Sequence, residues 1–472
     1  MKRVILLFAA IMMASTGLWA ETQNVSYLYP VYNTEGDPTS GIKEWKTTGI
    51  NATVLTGSDA RETLNRGWYV VTGYGVMYKE GLICKGDVHL ILDDGAKLIA
   101  GETGINAGPG IEVSGEGNSL TIYGQDNQLG QLVATGTVSA AGIGGGEGGS
   151  GSNITINGGI VTANGGDNAA GIGGGSNGSA SNITINGGMV TTNGGDNAAG
   201  IGGGEGGSGS NITINGGTVT SNGGYFAAGI GGGDSGGGSN ITVNDGMVTA
   251  NGGYGAAGIG GGQFANGLNI FVATDLAIKA DVNNPPETVI TNTGDDLASS
   301  LADKQYVKIE KDLNVLKNKA IAEINAAIDG VTDEDIHAIA TTAITDINNA
   351  TSEEQINSIK TFALTKINAI AEILSASQGI KDTDLNNWID AAINDIKRGS
   401  QDATPSIEEI KEQILYMINL FQNGKAEGKA DVLGTMGTKQ SGPAIEVIDQ
   451  DGNVLKLYNP KQVKYIKVKV EE

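Results

Sequence analysis

Between about residues 140 and 275, apolar positions come in bursts of a few residues separated by glycine and asparagine, and the bursts return at a fixed interval. Gly-Ile-Gly-Gly-Gly begins at Gly142, Gly171, Gly200, Gly229 and Gly258, always 29 residues apart. In the same register Asn-Ile-Thr-Ile begins at Asn153, Asn182 and Asn211, becomes Asn-Ile-Thr-Val at Asn240 and decays to Asn-Ile-Phe-Val at Asn269. Val161, Val190, Val219 and Val248 head a third burst. Alternation within a burst sends Ile154 and Ile156 to one face and Asn153 and Thr155 to the other. A drift-free period of this size, with strands this short, predicts a right-handed parallel β-helix with one repeat per coil. Stacking the coils at the strand spacing of about 4.8 Å then lines up Ile143, Ile172, Ile201, Ile230 and Ile259 inside.

The flanks carry different patterns. Val88 to Leu92, Lys97 to Ala100, Gly110 to Val113, Ser119 to Tyr123 and Gln131 to Thr135 are short strands with glycine or aspartate breaks, read as degenerate coils. The expected solenoid therefore covers 83–280, with an aromatic-rich β cap at 21–82 to close its exposed end. A polar stretch with Pro285-Pro286 predicts a stiff linker at 281–304. From 305 to 424 glycine nearly disappears and isoleucine recurs at helical spacing, as in Ile321, Ile324 and Ile328, which predicts an all-α bundle. Thr332 with Asp335 and Thr351 with Glu354 read as helix-start boxes. The tail, 425–472, predicts a small antiparallel β unit: Ala444 to Ile448 and Val454 to Tyr458 flank an Asp-Gly turn, and Val463 to Val470 forms a third strand.

At the start of the chain, Lys2 and Arg3, an apolar run from Val4 to Met13 and small residues ending at Ala20 have the layout of a secretory signal peptide, so export is expected. That places the protein at the cell surface, in the medium or in the periplasm, with no transmembrane segment once 1–20 are removed. Lys and Arg number 29 against 52 Asp and Glu, a net charge of −23, which disfavours nucleic acid and anionic lipid. Cys84 is the only cysteine, so no intrachain disulfide and no thiolate cluster form.

The chemistry of the repeats argues for display rather than catalysis. Residues 98 to 278 contain no Lys, Arg, His or Cys, so a groove there has no base for lyase chemistry. Asp167 and Asp196 are equivalent positions one coil apart, but they sit in glycine loops and read as solvated charges. One loop position runs Glu147, Ser176, Glu205, Asp234, unlike a calcium-binding roll with a fixed aspartate, so no metal and no cofactor is expected. His89 and His337 lie in unrelated segments and are read as ordinary residues. Two outward threonine columns remain: Thr155, Thr184, Thr213 and Thr242, and Thr162, Thr191, Thr220 and Thr249. Tyr225, Phe226, Tyr254 and Phe264 cluster in the last two coils. The first column and these aromatics are the candidate ligand contacts.

The stretch from Gly86 to Gly95, then Asn118-Ser119-Leu120-Thr121-Ile122-Tyr123-Gly124, then the Gly-Ile-Gly-Gly-Gly units resembles glycine-rich, β-helical secreted and cell-surface proteins of anaerobic, often gut-dwelling bacteria. The likeness spans roughly 66 to 275. It implies surface exposure and carbohydrate binding, and it brings no catalytic motif with it. Ile344 to Thr351, with Gln355-Ile356 and Lys360, is similar to the helical spacer repeats of giant Gram-positive adhesins. The expected protein is thus a non-enzymatic, exported β-solenoid presenting a binding or adhesive face to a polysaccharide or a cell-surface glycan. The alternatives are a polysaccharide-processing enzyme with the solenoid as its groove and a purely structural stalk.

Overall fold

The structure, a computed structural model, describes residues 21–34, 37–102, 108–291, 294–400, 406–426, 445–448 and 454–457. The expected signal peptide, the Asp-Gly turn and the strand from Val463 to Val470 lie outside the described residues. The chain divides into two compact units, one ending at Asp312 and one beginning at Leu313.

The first unit is a parallel β-solenoid. Each 29-residue coil contributes a strand such as Gly151–Ile156, a strand such as Ile160–Asn164 and a two-residue bridge such as Ile172–Gly173. Identical residues pair across coils without slippage: Ile154 with Ile183, Val161 with Val190, Ile143 with Ile172. Ile143, Ile154, Ile156, Val161 and their copies are fully buried, forming one continuous column of core. Each such side chain contributes about 1.5–3 kcal/mol by leaving water. Glycine is obligatory where the coils touch. Gly173 sits at φ +137°, and a Cβ there would come within 2.0 Å of the carbonyl oxygen of Gly202.

The solenoid begins earlier than residue 83. Glu62–Val71 pairs in parallel with Leu82–Leu92, and Tyr74–Tyr78 with Lys97–Ala100, so the first turn is built from the segment expected as cap. These early turns are uneven: Val70 pairs with Ile91 and Ile91 in turn with Tyr123, whereas the later coils keep one length, as in Ile154 with Ile183. What remains of the cap is a long hairpin, Thr22–Thr34 with Asp37–Val54, paired antiparallel from Thr22↔Thr53 to Thr34↔Asp37. It crosses the coils as a strap. The Leu28 amide donates to the Gly124 carbonyl, Asn186 Nδ2 to the Tyr32 hydroxyl and Asn215 Nδ2 to the Pro38 carbonyl.

The far end is also closed by structure rather than by a linker. Leu276–Asp281, Val289–Ile290 and the short helix Ala298–Leu301 fall in or beside 281–304, and strand Tyr306–Lys311 turns back into the sheet. That last strand inserts antiparallel between Met247–Asn251 and Leu276–Asp281, with Val307 and Ile309 facing the core. Its alternation at Val307 and Ile309 is period 2, not helical, so the α region begins at Leu313 rather than 305. Asp296 finishes the cap: its carboxylate accepts from the amides of Asn269, Ile270 and Ala298 on and beside the edge strand.

Desolvation works against the ionised Asp296, but the amides of Ala298, Ile270 and Asn269 outweigh it and hold the carboxyl below its ordinary value of 3.8. A lowered folded value means the cap's contribution is complete above pH 3.8 and is lost as the pH falls through the lowered value. Asp296→Ala is therefore expected to speed hydrogen exchange at the Asn269 and Ile270 amides by about tenfold at neutral pH. Acidifying the unchanged protein through the lowered value should reduce the protection of the same amides relative to their intrinsic exchange rate at that pH. Unaltered exchange in the variant would show that the edge is held by other means.

In the second unit, five helices are described: Leu313–Ala327, Glu334–Asn349, Glu353–Ala376, Thr383–Arg398 and Ile407–Ala426. They bury Ile324, Ile336, Ile347, Ile367, Ile370 and Ile396 in a shared core. Two helices start one residue later than the expected boxes. Asp333, not Thr332, accepts from the amides of Asp335 and Ile336, and Ser352, not Thr351, accepts from Gln355. The displaced Thr351 instead donates to the Gln355 side chain. In the tail, Ile445–Ile448 pairs antiparallel with Val454–Leu457.

Candidate ligand-binding faces

The two sets of sequence-derived contacts occupy different parts of each coil. Thr155, Thr184, Thr213 and Thr242 form one column in strict register, continued by Thr121 and His89 at one end and Phe271 at the other. The column is a recessed rail rather than a raised one: Thr213 is 5% exposed, and its three copies are half-buried. Outward asparagines flank it on both sides. Asn153 and its copies stand at φ between +51° and +57°, and their amides chain along the axis, as from Asn182 Nδ2 to Asn153 Oδ1 at 3.1 Å. On the other flank run Asn157, Asn186, Asn215 and Asn244, linked at 2.7 to 2.8 Å and covered by the strap. The second threonine column, Thr162, Thr191, Thr220 and Thr249, lies on the other sheet and ends against Lys308.

The aromatic residues are brought together. Tyr225 and Phe226 meet edge to face with centroids 4.5 Å apart, and Tyr225 stacks on Tyr254 at 5.9 Å with the rings 15° from parallel. They ride on glycine turns whose backbones are bonded coil to coil, as in Gly224 to Ala198 and Gly253 to Ala227. Tyr225 is 61% and Tyr254 63% exposed, so the cluster is rigid from below and open above. Phe264, 89% exposed, belongs to the neighbouring stack of turns, which is tied in by the Gln263 amide donating to the Phe226 carbonyl. Asp196 precedes Tyr225 in one stack. Asp234 sits in the other, its amide bonded to the Asn197 carbonyl. Apolar ring faces beside carboxylates give stacking surface and hydrogen-bond acceptors in one patch.

A cluster that sequence reasoning passed over sits at the head of the threonine rail. Trp68 stacks on His89 at 4.1 Å and 11°, Nδ1 of His89 lies 3.0 Å from the Tyr123 hydroxyl, and Nε2 lies 3.0 Å from Asp87. Burial pushes the Tyr123 hydroxyl well above its ordinary value. Tyr27 of the strap packs on Trp68 and Tyr123, so the cluster anchors the hairpin. Burial also raises the Cys84 thiol to about 12, which leaves it protonated at neutral pH. Among the described residues no group of three or more His, Cys, Asp or Glu is placed to hold a metal ion. His337 Nε2 donates to the Val331 carbonyl in the helical unit. No helix among the described residues is long and apolar enough to cross a membrane.

The asparagine ladders and the strap were not foreseen. Their signal was present: asparagine recurs at 153, 157 and 164 in every coil as faithfully as the isoleucines do, up to the last copies.

The beta helix repeat family matches the chain in four segments, 154–176, 183–205, 212–234 and 241–263, one per regular coil. Each segment runs from the inward isoleucine of one strand to the glycine turn that ends the coil. Neither the curated proteins nor the solved structures gave a match. The class defined by fold and repeat is therefore a β-helical protein.

Proposed function

We propose that this chain is an exported, non-enzymatic β-solenoid that holds a glycan on its aromatic ridge. The observation that carries the reading is the Tyr225, Phe226 and Tyr254 cluster, two of whose rings keep more than half of their surface in water on a backbone bonded coil to coil. Large rings left open on a rigid support favour a ligand with apolar faces, and the pyranose ring supplies one. Asp196 and Asp234 beside the rings accept hydroxyl donors. The net charge of −23 favours a neutral polysaccharide over a uronate or a sulfated one.

Affinity electrophoresis of the intact protein in gels containing neutral plant and host polysaccharides tests this. Retardation by at least one polymer is expected. Tyr225→Ala with Tyr254→Ala should weaken it by about a hundredfold, at roughly tenfold per ring. No retardation by any polymer would favour the stalk. Release of reducing or unsaturated ends from the same polymers would favour the enzyme. Protease shaving of intact cells tests the location: loss of the protein places it outside, and protection in the periplasm ends the adhesive role.

A further inference from the structure

Where the strap crosses the coils, a groove of about 700 Å³ opens between strand Asp37–Val54 and the corners that follow the buried asparagine ladder. It lies within the size range of small-ligand sites. Its floor consists of Asn-Gly-Gly corners at 186–188 and 215–217, where Gly188 and Gly217 adopt φ of +85° and +82°. With no Cβ on these glycines the floor is bare backbone. Trp45 stands over it, its ring close enough that a Cβ on Gly187 would lie 3.2 Å from Cζ2, yet the residue is still 39% exposed.

The charges in the groove decide what it suits. Glu44 is bridged by Lys46 at 3.1 Å and Asp245 by Lys311 at 2.7 Å, and Lys43 is the one cation among the described lining residues. That balance gives no grip on a phosphate, sulfate or uronate. Apart from Trp45, the apolar lining among the described residues is Leu28 and Ile42, too little to make the alternate side-chain pockets by which an extended peptide is read. The corners repeat at the coil spacing, so from Asn157 to Asn244 the groove runs about 14 Å along the axis.

We propose that this groove is a second glycan site, separate from the aromatic ridge, in which a short neutral oligosaccharide lies along the solenoid axis with one ring against Trp45. The site is independent of the ridge because its lining shares no residue with it.

The test is tryptophan fluorescence of the intact protein, titrated with neutral hexasaccharides of glucose, xylose, mannose and N-acetylglucosamine, with a galacturonate hexamer and a polar hexapeptide as comparisons. A saturable change with at least one neutral sugar is expected, absent for the uronate and the peptide. Trp45→Phe keeps a ring on the glycine floor and so preserves the strap. It should abolish the fluorescence change, whereas Tyr225→Ala with Tyr254→Ala should leave that change and its midpoint untouched. Loss of the signal in the tyrosine variant would merge the two sites and overturn the proposal, as would a change that survives Trp45→Phe. A response to the uronate or peptide alone, or none to any neutral sugar up to about 10 mM, would overturn it too. If the tyrosine variant keeps full polysaccharide retardation while the Trp45 signal stands, the ridge reading fails and this one survives.

Discussion

Adding one methyl group at Gly202 is expected to cost more than removing several from the core. Gly202 stands at φ +142°, and its Cβ would lie 1.9 Å from the Gly231 carbonyl oxygen and 2.8 Å from the carbonyl carbon, both backbone atoms of the next coil. Backbone strain of about 1–3 kcal/mol adds to overpacking of about 1–3 kcal/mol, and the neighbouring coil has no freedom to retreat because its own copy is stacked on the one beyond. Gly202→Ala should therefore destabilise by about 4 kcal/mol. Two controls separate the causes. Gly260 has the same φ of +141° but ends its column, so its Cβ meets nothing closer than the Ala257 side chain at 3.3 Å. Gly260→Ala should show strain alone, about 1–3 kcal/mol. Gly206, at φ +70°, would bring its Cβ only to an ordinary 3.5 Å contact with the Asn177 side-chain oxygen, and its copies Asn177 and Ser235 both stand in the same left-handed conformation. Gly206→Asn should be neutral to within about 0.5 kcal/mol. Hydrogen exchange along the strands of adjacent coils is the appropriate measure, because a solenoid can lose coils locally. Equal effects at Gly202 and Gly260 would mean that the carbonyl contact is relieved by a shift of the coil.

The same contrast explains what could be read from the sequence. A solenoid converts linear period into spatial column, so every feature fixed by the 29-residue spacing was legible: the inward isoleucines, the threonine columns and the placement of Tyr225 one coil before Tyr254. Features fixed by contacts between unlike segments were not. Asn186 reaches Tyr32 across 154 residues, and nothing in the local pattern of Thr22–Thr34 says which flank of the solenoid it will cover. The depth of the threonine rail was hidden for the same reason. Alternation gives the face of a side chain but not what stands beside it, and here two asparagine columns do. Strand Tyr306–Lys311 was absorbed into the helical region because the isoleucine-rich pattern just after it dominates the window. Caps missed by one residue reflect local competition. Thr351 and Ser352 both offer a hydroxyl, and the backbone takes the nearer geometry.

Removing one asparagine amide from the buried ladder should release the strap while leaving the coils folded. Asn215, 3% exposed, donates to Asn186 Oδ1 and to the Pro38 carbonyl, both at 2.8 Å, and accepts from Asn244 Nδ2 at 2.7 Å. Asn215→Ala deletes all three bonds and strands their partners in a site from which water is largely excluded, a loss of about 3 kcal/mol at roughly 1 kcal/mol per bond. The inward isoleucines Ile212 and Ile214 are untouched, and the ladder of main-chain bonds to the neighbouring coils persists. The loss should therefore fall on the hairpin, seen as faster exchange and proteolysis within Asp37–Val54 while the Ile212 and Ile241 strands stay protected. Asn211→Gly is the matching control in the exposed ladder. Its φ of +52° suits glycine, and water replaces the lost amide bonds, so an effect under about 1 kcal/mol is expected. If Asn215→Ala leaves the hairpin as protected as before, then the aromatic anchor of Tyr27 on Trp68 and Tyr123 holds the strap by itself, and the buried ladder serves only to join coil to coil.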